Sequence, residues 1–261
     1  MICRFIDNDE TCTIAKLAHK VWTMTKKFYA LVVLSVRQSP SRGAERVALL
    51  QPGDEIEVIG DPVAADGLTW HPSPLGWFAE AADGEILACP ADDWWRRSYS
   101  FMQGWEGDHC VHDPERTLYG ITQTTYNDWR AAQQHAPADV CEALTTGEAE
   151  QIYRRWYWQR SGADTAAWPL CLAIFDFAVN AGVGQAQTFH QQAGDNVEVY
   201  MQLREAFYQT IAQKHPSLAQ YLPGWLNRVA ALKQHAGLEQ RRGTENPPVW
   251  TAKVPLWALG E

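Results

Sequence analysis

No apolar run in this chain reaches the roughly 18–20 residues that a membrane helix needs, so insertion into a bilayer is not expected. There is no basic cluster either. Twenty-two Lys and Arg face 31 Asp and Glu, a net charge of −9, which makes nucleic acid an unlikely partner. Cysteine is sparse. Cys3, Cys12, Cys89, Cys110, Cys141 and Cys171 are far apart and show no Cys-x-x-Cys spacing. A chain of this length does not need covalent staples, so they read as mostly free thiols in a reducing compartment. A signal-peptide pattern is also missing, because Lys16, His19 and Lys20 interrupt the start before any long apolar core. That predicts accumulation in the cytoplasm.

What is present is indole. Thirteen tryptophans in 261 residues exceed what one core requires. Flat rings suit the C–H faces of sugars, although any single Trp is better read as core filling. Charge is uneven: residues 30–93 hold eleven Asp and Glu against three Arg, a local charge of −8. The hydrophobic share of 46% is that of a globular protein with a real core.

The pattern predicts a multidomain chain, a small all-β barrel followed by a mainly α domain. Residues 1–27 have no period and read as an N-terminal extension, with Met24 a candidate true start. Residues 28–91 read as about five short strands. Phe28 to Val36 is one apolar run, and Glu55-Ile56-Glu57-Val58-Ile59 alternates as a half-buried strand does. Turn chemistry separates them at Ser39-Pro40, Pro52-Gly53-Asp54 and Asp66-Gly67. From Asp92 the period turns helical, to about residue 240. Asp92 or Asp93 caps a helix ended by Gly107. Thr122 caps a second, and Thr145 to Glu148 form a capping box for a third. Leu170 to Ala181 reads as the buried central helix, broken by Gly182-Val183-Gly184. Helices from Asp195 to about Lys214 and from Pro223 to His235 complete the set. Residues 241–261 form a Pro/Trp tail whose Trp250 and Trp257 are placed to dock on the body.

The most informative stretch is Trp105-Glu106-Gly107, then Asp108-His109-Cys110-Val111-His112-Asp113-Pro114, then Leu118-Tyr119-Gly120-Ile121-Thr122. One carboxylate ends an aromatic-rich helix. The negative end of the helix dipole and the adjacent indole both disfavour its charged form. That suits a group that must hand a proton to a leaving oxygen, as the acid Glu beside a Trp does in lysozyme. Asp113 is a candidate base or cation stabiliser, or simply an Asp-Pro turn. Thr117 and Thr122 are candidates to hold a water, with Thr122 better read as a cap. Trp105, His109 and Tyr119 are candidate substrate contacts. Asn180 is a further candidate, though a helix-end role suits it better. Asp176, in an apolar helix, needs a partner if buried.

These residues resemble glycoside hydrolase family 108, N-acetylmuramidases with a lysozyme-like helical fold. The family's Glu-Gly-Gly-Tyr, Asn-Asp-Pro and Asn-Tyr-Gly-Ile-Thr elements are met by Glu106-Gly107-Asp108-His109, His112-Asp113-Pro114 and Thr117-Leu118-Tyr119-Gly120-Ile121-Thr122. Two further stretches look like the family's second half, Phe175 to Gly184 and Gly224-Trp225-Leu226-Asn227-Arg228-Val229. The chain departs from the family at Asp108-His109 and at the shortened Glu115-Arg116. The β segment resembles bacterial SH3-like domains through Val36-Arg37-Gln38-Ser39-Pro40, Leu50-Gln51-Pro52-Gly53-Asp54 and Gly76-Trp77. The resemblance implies a peptidoglycan hydrolase with Glu106 as general acid and no cofactor. It would act on the bacterial wall after release to the periplasm or cell wall; of its oligomeric states, unknown from the sequence, a monomer is favoured. Two rivals stand beside it. One is a non-catalytic wall-binding protein. The other is a wall amidase or peptidase. As a zinc enzyme it would use the Glu106/His109/His112 cluster, with Cys110 and Asp113 as further candidate ligands, although the helical His-Glu-x-x-His spacing is absent. As a Cys/His enzyme it would use Cys110, which follows a helix C-terminus where the dipole has the wrong sign for a nucleophile.

Overall fold

A computed structural model describes residues 26–112 and 115–238. The chain divides into two compact units, one ending at Asp92 and the other beginning at Asp93. Residues 26–90 form antiparallel sheets, and the second unit is mainly helical, as the pattern predicts. The extension, the tail and Asp113-Pro114 lie outside the described residues.

In the β unit, strands β1 (Lys26–Ala30), β4 (Glu55–Val58) and β10 (Ala88–Pro90) form one sheet with β1 in the middle. A five-stranded sheet runs in the order β3 (Arg46–Leu50), β2 (Leu34–Arg37), β7 (Gly76–Ala79), β6 (Leu68–Ser73), β5 (Val63–Ala65). The hairpin β8 (Ala81–Ala82) and β9 (Glu85–Ile86) completes the unit. Phe28, Ala30, Leu34, Ile56, Val58, Phe78 and Ala88 make its core. β4 behaves as its alternation demands, with Ile56 and Val58 buried and both Glu side chains out.

The single strand expected from Phe28 to Val36 is instead two strands in two sheets. The chain bends at Leu31–Val33, where the Ala30 carbonyl accepts from Gly53 and the Leu31 N–H donates to Leu87. Val32 and Val33 are left exposed by the bend. An apolar run reveals strand propensity but not where tertiary hydrogen bonds turn the chain.

In the second unit the local signals work largely as written. Helix α1 (Trp94–Glu106) starts at Asp93, whose side chain accepts from the Arg96 N–H, and stops at Gly107 with φ 74°. It buries Trp95, Phe101 and Met102. A short hairpin, β11 (Thr117–Leu118) and β12 (Ile121–Thr122), leads into α2 (Gln123–Ala132), capped by Thr122. After the short α3 (Val140–Ala143), α4 (Thr146–Ile152) opens on the Thr145–Glu148 capping box. It then widens into a π-helical stretch, Tyr153–Gln159.

Helix α5 (Leu170–Ala181) is the centre of this unit, with every residue from Leu170 to Val179 buried. Gly182 alone forms the break, and α6 (Val183–Ala193) resumes at once, two residues earlier than the glycine pair suggests. Helix α7 (Val197–Lys214) is capped by Asn196, and α8 (Leu222–His235) closes the unit. Among the described residues no helix is long and apolar enough to cross a membrane.

Candidate functional site

Glu106 is the last residue of α1. Its side chain is only 11% exposed and its Oε1 accepts a 2.7 Å hydrogen bond from Arg228 Nη1. Arg228 comes from α8, 122 residues away. The same guanidinium grips Asp176 on α5, with Nη2 2.6 Å from Oδ1 and Nε 3.0 Å from it. Arg204 on α7 donates to the other Asp176 oxygen at 2.6 Å and to the Tyr208 hydroxyl at 3.0 Å. Tyr208 in turn donates to Asn180 Oδ1 at 2.7 Å. Four charges thus form one buried chain, Glu106–Arg228–Asp176–Arg204, ending on Asn180.

The electrostatics follow from that chain. Burial works against a charged Asp176, but the guanidiniums of Arg228 and Arg204 outweigh it and hold the carboxyl below its usual range. Burial likewise opposes the Arg228 charge, and Asp176 and Glu106 more than restore it. The partner that Asp176 needs is therefore supplied twice. Arg204 Nη1 keeps no hydrogen bond, but the guanidinium lies 5.3 Å from the Phe177 ring, a cation–π contact.

The surroundings of Glu106 differ from the sequence expectation. An indole was to desolvate it directly, yet the feature that meets its carboxylate is a guanidinium, and Trp105 lies 5.8 Å from that same Arg228. The β11–β12 turn presses on the carboxylate from another direction. Tyr119 and Gly120 both have positive φ, 53° and 76°, as a two-residue type I′ turn requires. A methyl group at Gly120 would stand 2.7 Å from Glu106 Oε2 and 2.6 Å from the Tyr153 hydroxyl. Tyr153 donates to the Tyr119 carbonyl at 2.7 Å, which pins the turn in place. Burial, then the Glu106 charge, pushes the Tyr153 phenol well up, so it stays a donor.

The remaining candidates divide. Tyr119 belongs to the site through its backbone. The Thr117 hydroxyl donates to the Glu115 carbonyl, 3.0 Å away. Thr122 is the cap of α2. His109 is 90% exposed and pairs with Asp108 rather than with Glu106. Asp113 falls outside the described residues. Among the described residues no three His, Cys, Asp or Glu side chains converge as a metal set: Glu106 is turned to Arg228, His109 to Asp108, and Cys110 is bonded to sulfur. Arg228, Arg204, Tyr153 and Gly120 carry no site role in the sequence reading, although Gly120 lies in its most informative stretch. Arg228 does lie within Gly224–Val229, one of the stretches that resemble the family.

The reading of the cysteines as mostly free thiols needs correction. Cys110, four residues past Glu106, forms a disulfide with Cys141 on α3, Cα to Cα 5.6 Å. Long-range contacts bring them together. Arg116 pairs with Asp139, and Gln123 bonds both the Ala138 carbonyl and the Val140 N–H. Cys89 and Cys171 are buried and outside any disulfide among the described residues, and burial pushes the Cys171 thiol up to about 12. The bridge encloses a 31-residue span, which in a chain-entropy model stabilises by about 3–4 kcal/mol. Thermal denaturation with and without dithiothreitol should therefore show a drop of several degrees on reduction, and Cys141→Ser should abolish the difference. Equal midpoints would show that the bridge does not form in solution.

Residues 99–182 match the family model described as Glycosyl hydrolase 108, which supports a glycoside hydrolase. The matched stretch contains Glu106, Gly120, Tyr153 and Asp176, while Arg204 and Arg228 lie beyond it. No curated protein matches the chain. Among solved structures, that titled "Structure of Brucella abortus SagA" is similar at 20% identity and a TM-score of 0.47, covering 57% of this chain and 96% of that one.

Proposed function

We propose that this protein is a peptidoglycan hydrolase, an N-acetylmuramidase that cuts the glycan strand of the bacterial wall with Glu106 as general acid. The carrying observation is the fixing of one helix-terminal carboxylate from two sides, by Arg228 and by the Tyr119-Gly120 turn, inside the stretch that matches a glycoside hydrolase family. Glycosidic cleavage needs a carboxyl group aimed at the leaving oxygen with little freedom to stray. Oε1 accepts from Arg228 and Oε2 lies on the side of Gly120, and this carboxyl group is the proposed proton donor to the sugar. Asp113 is the proposed second group, as base or stabiliser of the oxocarbenium ion. Trp105, His109, Thr117, Tyr119 and Asn180 are the proposed substrate contacts, with the β unit as a wall-targeting module.

The rival reading, a wall binder without catalysis, draws on the same ion pair, since a carboxylate locked to a guanidinium also serves purely as structure. Digestion products decide. Mass spectrometry of purified peptidoglycan treated with the full chain should show fragments with N-acetylmuramic acid at the reducing end. Anhydro ends would indicate a lytic transglycosylase, freed stem peptides an amidase, and no new ends a binder.

The turn makes a second test. Gly120→Ala puts a methyl group into the 2.7 Å gap beside Glu106 Oε2 and strains a left-handed position, a cost of about 1–3 kcal/mol. The carboxylate must shift, and a displacement of ~1 Å costs on the order of 10²-fold in rate. The variant should melt lower and release reducing ends far more slowly; parent-like turnover would remove the turn from the site.

A further inference from the structure

On one side of Tyr157 lies a pocket of about 210 Å³. Its walls are Thr125 and Asp128 from α2, Trp156 and Arg160 from the π-helical stretch and the residue after it, and the Gly182–Val183 break. Trp156 is held edge-to-face by Trp129, ring centroids 5.5 Å apart, so its plane is fixed. The side chains of Asp128 and Arg160 make no hydrogen bond or ion pair with the described residues and are exposed. Tyr157 connects this pocket to Glu106. Its ring packs on Tyr153 at 5.5 Å, and behind the effect of burial the Glu106 charge adds to the upward push on its phenol.

We propose that this pocket is a subsite for a single N-acetylated pyranose of the glycan strand. The idea rests on the glycan-hydrolase reading and adds to it the residues that seat a sugar. A pyranose has an apolar C–H face and a rim of hydroxyls. The indole of Trp156 meets the face. The Asp128 carboxylate accepts from hydroxyl or acetamido N–H groups, and the Arg160 guanidinium donates to the acetamido carbonyl. The volume is below the ~300 Å³ at which pockets begin to enclose drug-sized molecules, so it takes one sugar rather than a run of them. Neither charged side chain has a hydrogen-bond or ion-pair partner among the described residues to give up when the sugar is seated.

The test uses the full chain and an uncharged probe, the β-1,4-linked trimer of N-acetylglucosamine. Titration into the Glu106→Gln chain, followed by tryptophan fluorescence or NMR, should show saturable binding. Trp156→Ala and Asp128→Asn should each weaken it by about tenfold, equivalent to ~1.4 kcal/mol. In the chain with Glu106 intact, the same changes should raise KM for soluble wall glycan more than they lower kcat, the mark of a group that binds substrate without taking part in bond breaking. Asp128 is exposed, so its variant separates loss of binding from loss of folding. Failure of the trimer to bind, or unchanged affinity and KM in both variants, overturns the subsite while wall cleavage by the parent chain stands. Failure of the parent chain to cut wall glycan overturns the reading of function on which the subsite rests.

Discussion

Glu106→Gln should fold as the parent chain does and release reducing ends from purified peptidoglycan on the order of 10²–10⁴-fold more slowly, the span that positioned general acids contribute. The substitution keeps the shape of the side chain, and the amide oxygen still accepts from Arg228 Nη1, 2.7 Å away in the parent. The Gly120 turn and Tyr153 therefore keep their packing. The variant lacks a proton that can be given up to a glycosidic oxygen. It also lacks one negative charge beside Arg228, whose Asp176 contacts at 2.6 and 3.0 Å remain. Thermal melts should accordingly be close to parental, which makes lost activity a statement about chemistry. Turnover equal to the parent's would take Glu106 out of the reaction and leave the wall-binding reading in its place.

The parts of this architecture legible in the sequence are those set by neighbours along the chain. Asp93, Thr122 and Thr145 with Glu148 each cap a helix by reaching three residues ahead, and such signals are local by nature. The same holds for the end of α1 at Gly107, which places Glu106 at a helix terminus. What holds Glu106 was not legible. Its guanidinium arrives from 122 residues away, and Asp176 meets Arg228 across 52 and Arg204 across 28. No periodicity encodes which arginine meets which carboxylate. Asp176 still left a trace, since a carboxylate in an otherwise apolar helix cannot stay buried alone. The Cys110–Cys141 bridge failed to register for the same reason: its 31-residue separation carries no motif, and the contacts that close it are tertiary.

Asp176→Ala should destabilise the protein by about 3–5 kcal/mol, the usual result of removing one partner from a buried ion pair. Arg204 and Asp176 are fully buried and the Arg228 side chain is 6% exposed. Deleting the carboxylate would leave two guanidiniums in the interior with Glu106 as the one carboxylate among the described residues paired to them, beside the Tyr208 hydroxyl and the Phe177 and Trp105 rings. The effect should reach the site as well. Arg228 holds Glu106 with one nitrogen while Asp176 holds the others, so an unanchored Arg228 no longer fixes the acid, and activity should fall even at temperatures where the variant is folded. The pH dependence has a defined sign. Asp176 titrates below its usual value in the folded state, so its contribution is fully present above the unfolded value of ~3.9 and is lost as pH falls through the depressed folded value. Urea unfolding midpoints measured across acid pH should therefore drop for the parent chain below about pH 4. Asp176→Asn, which keeps an acceptor but not the charge, should start lower and lack that part of the slope. An Asp176→Ala chain within about 1 kcal/mol of the parent would mean that Arg204 and Arg228 find water or other acceptors, and the four-charge chain would then not be what holds Glu106 in place.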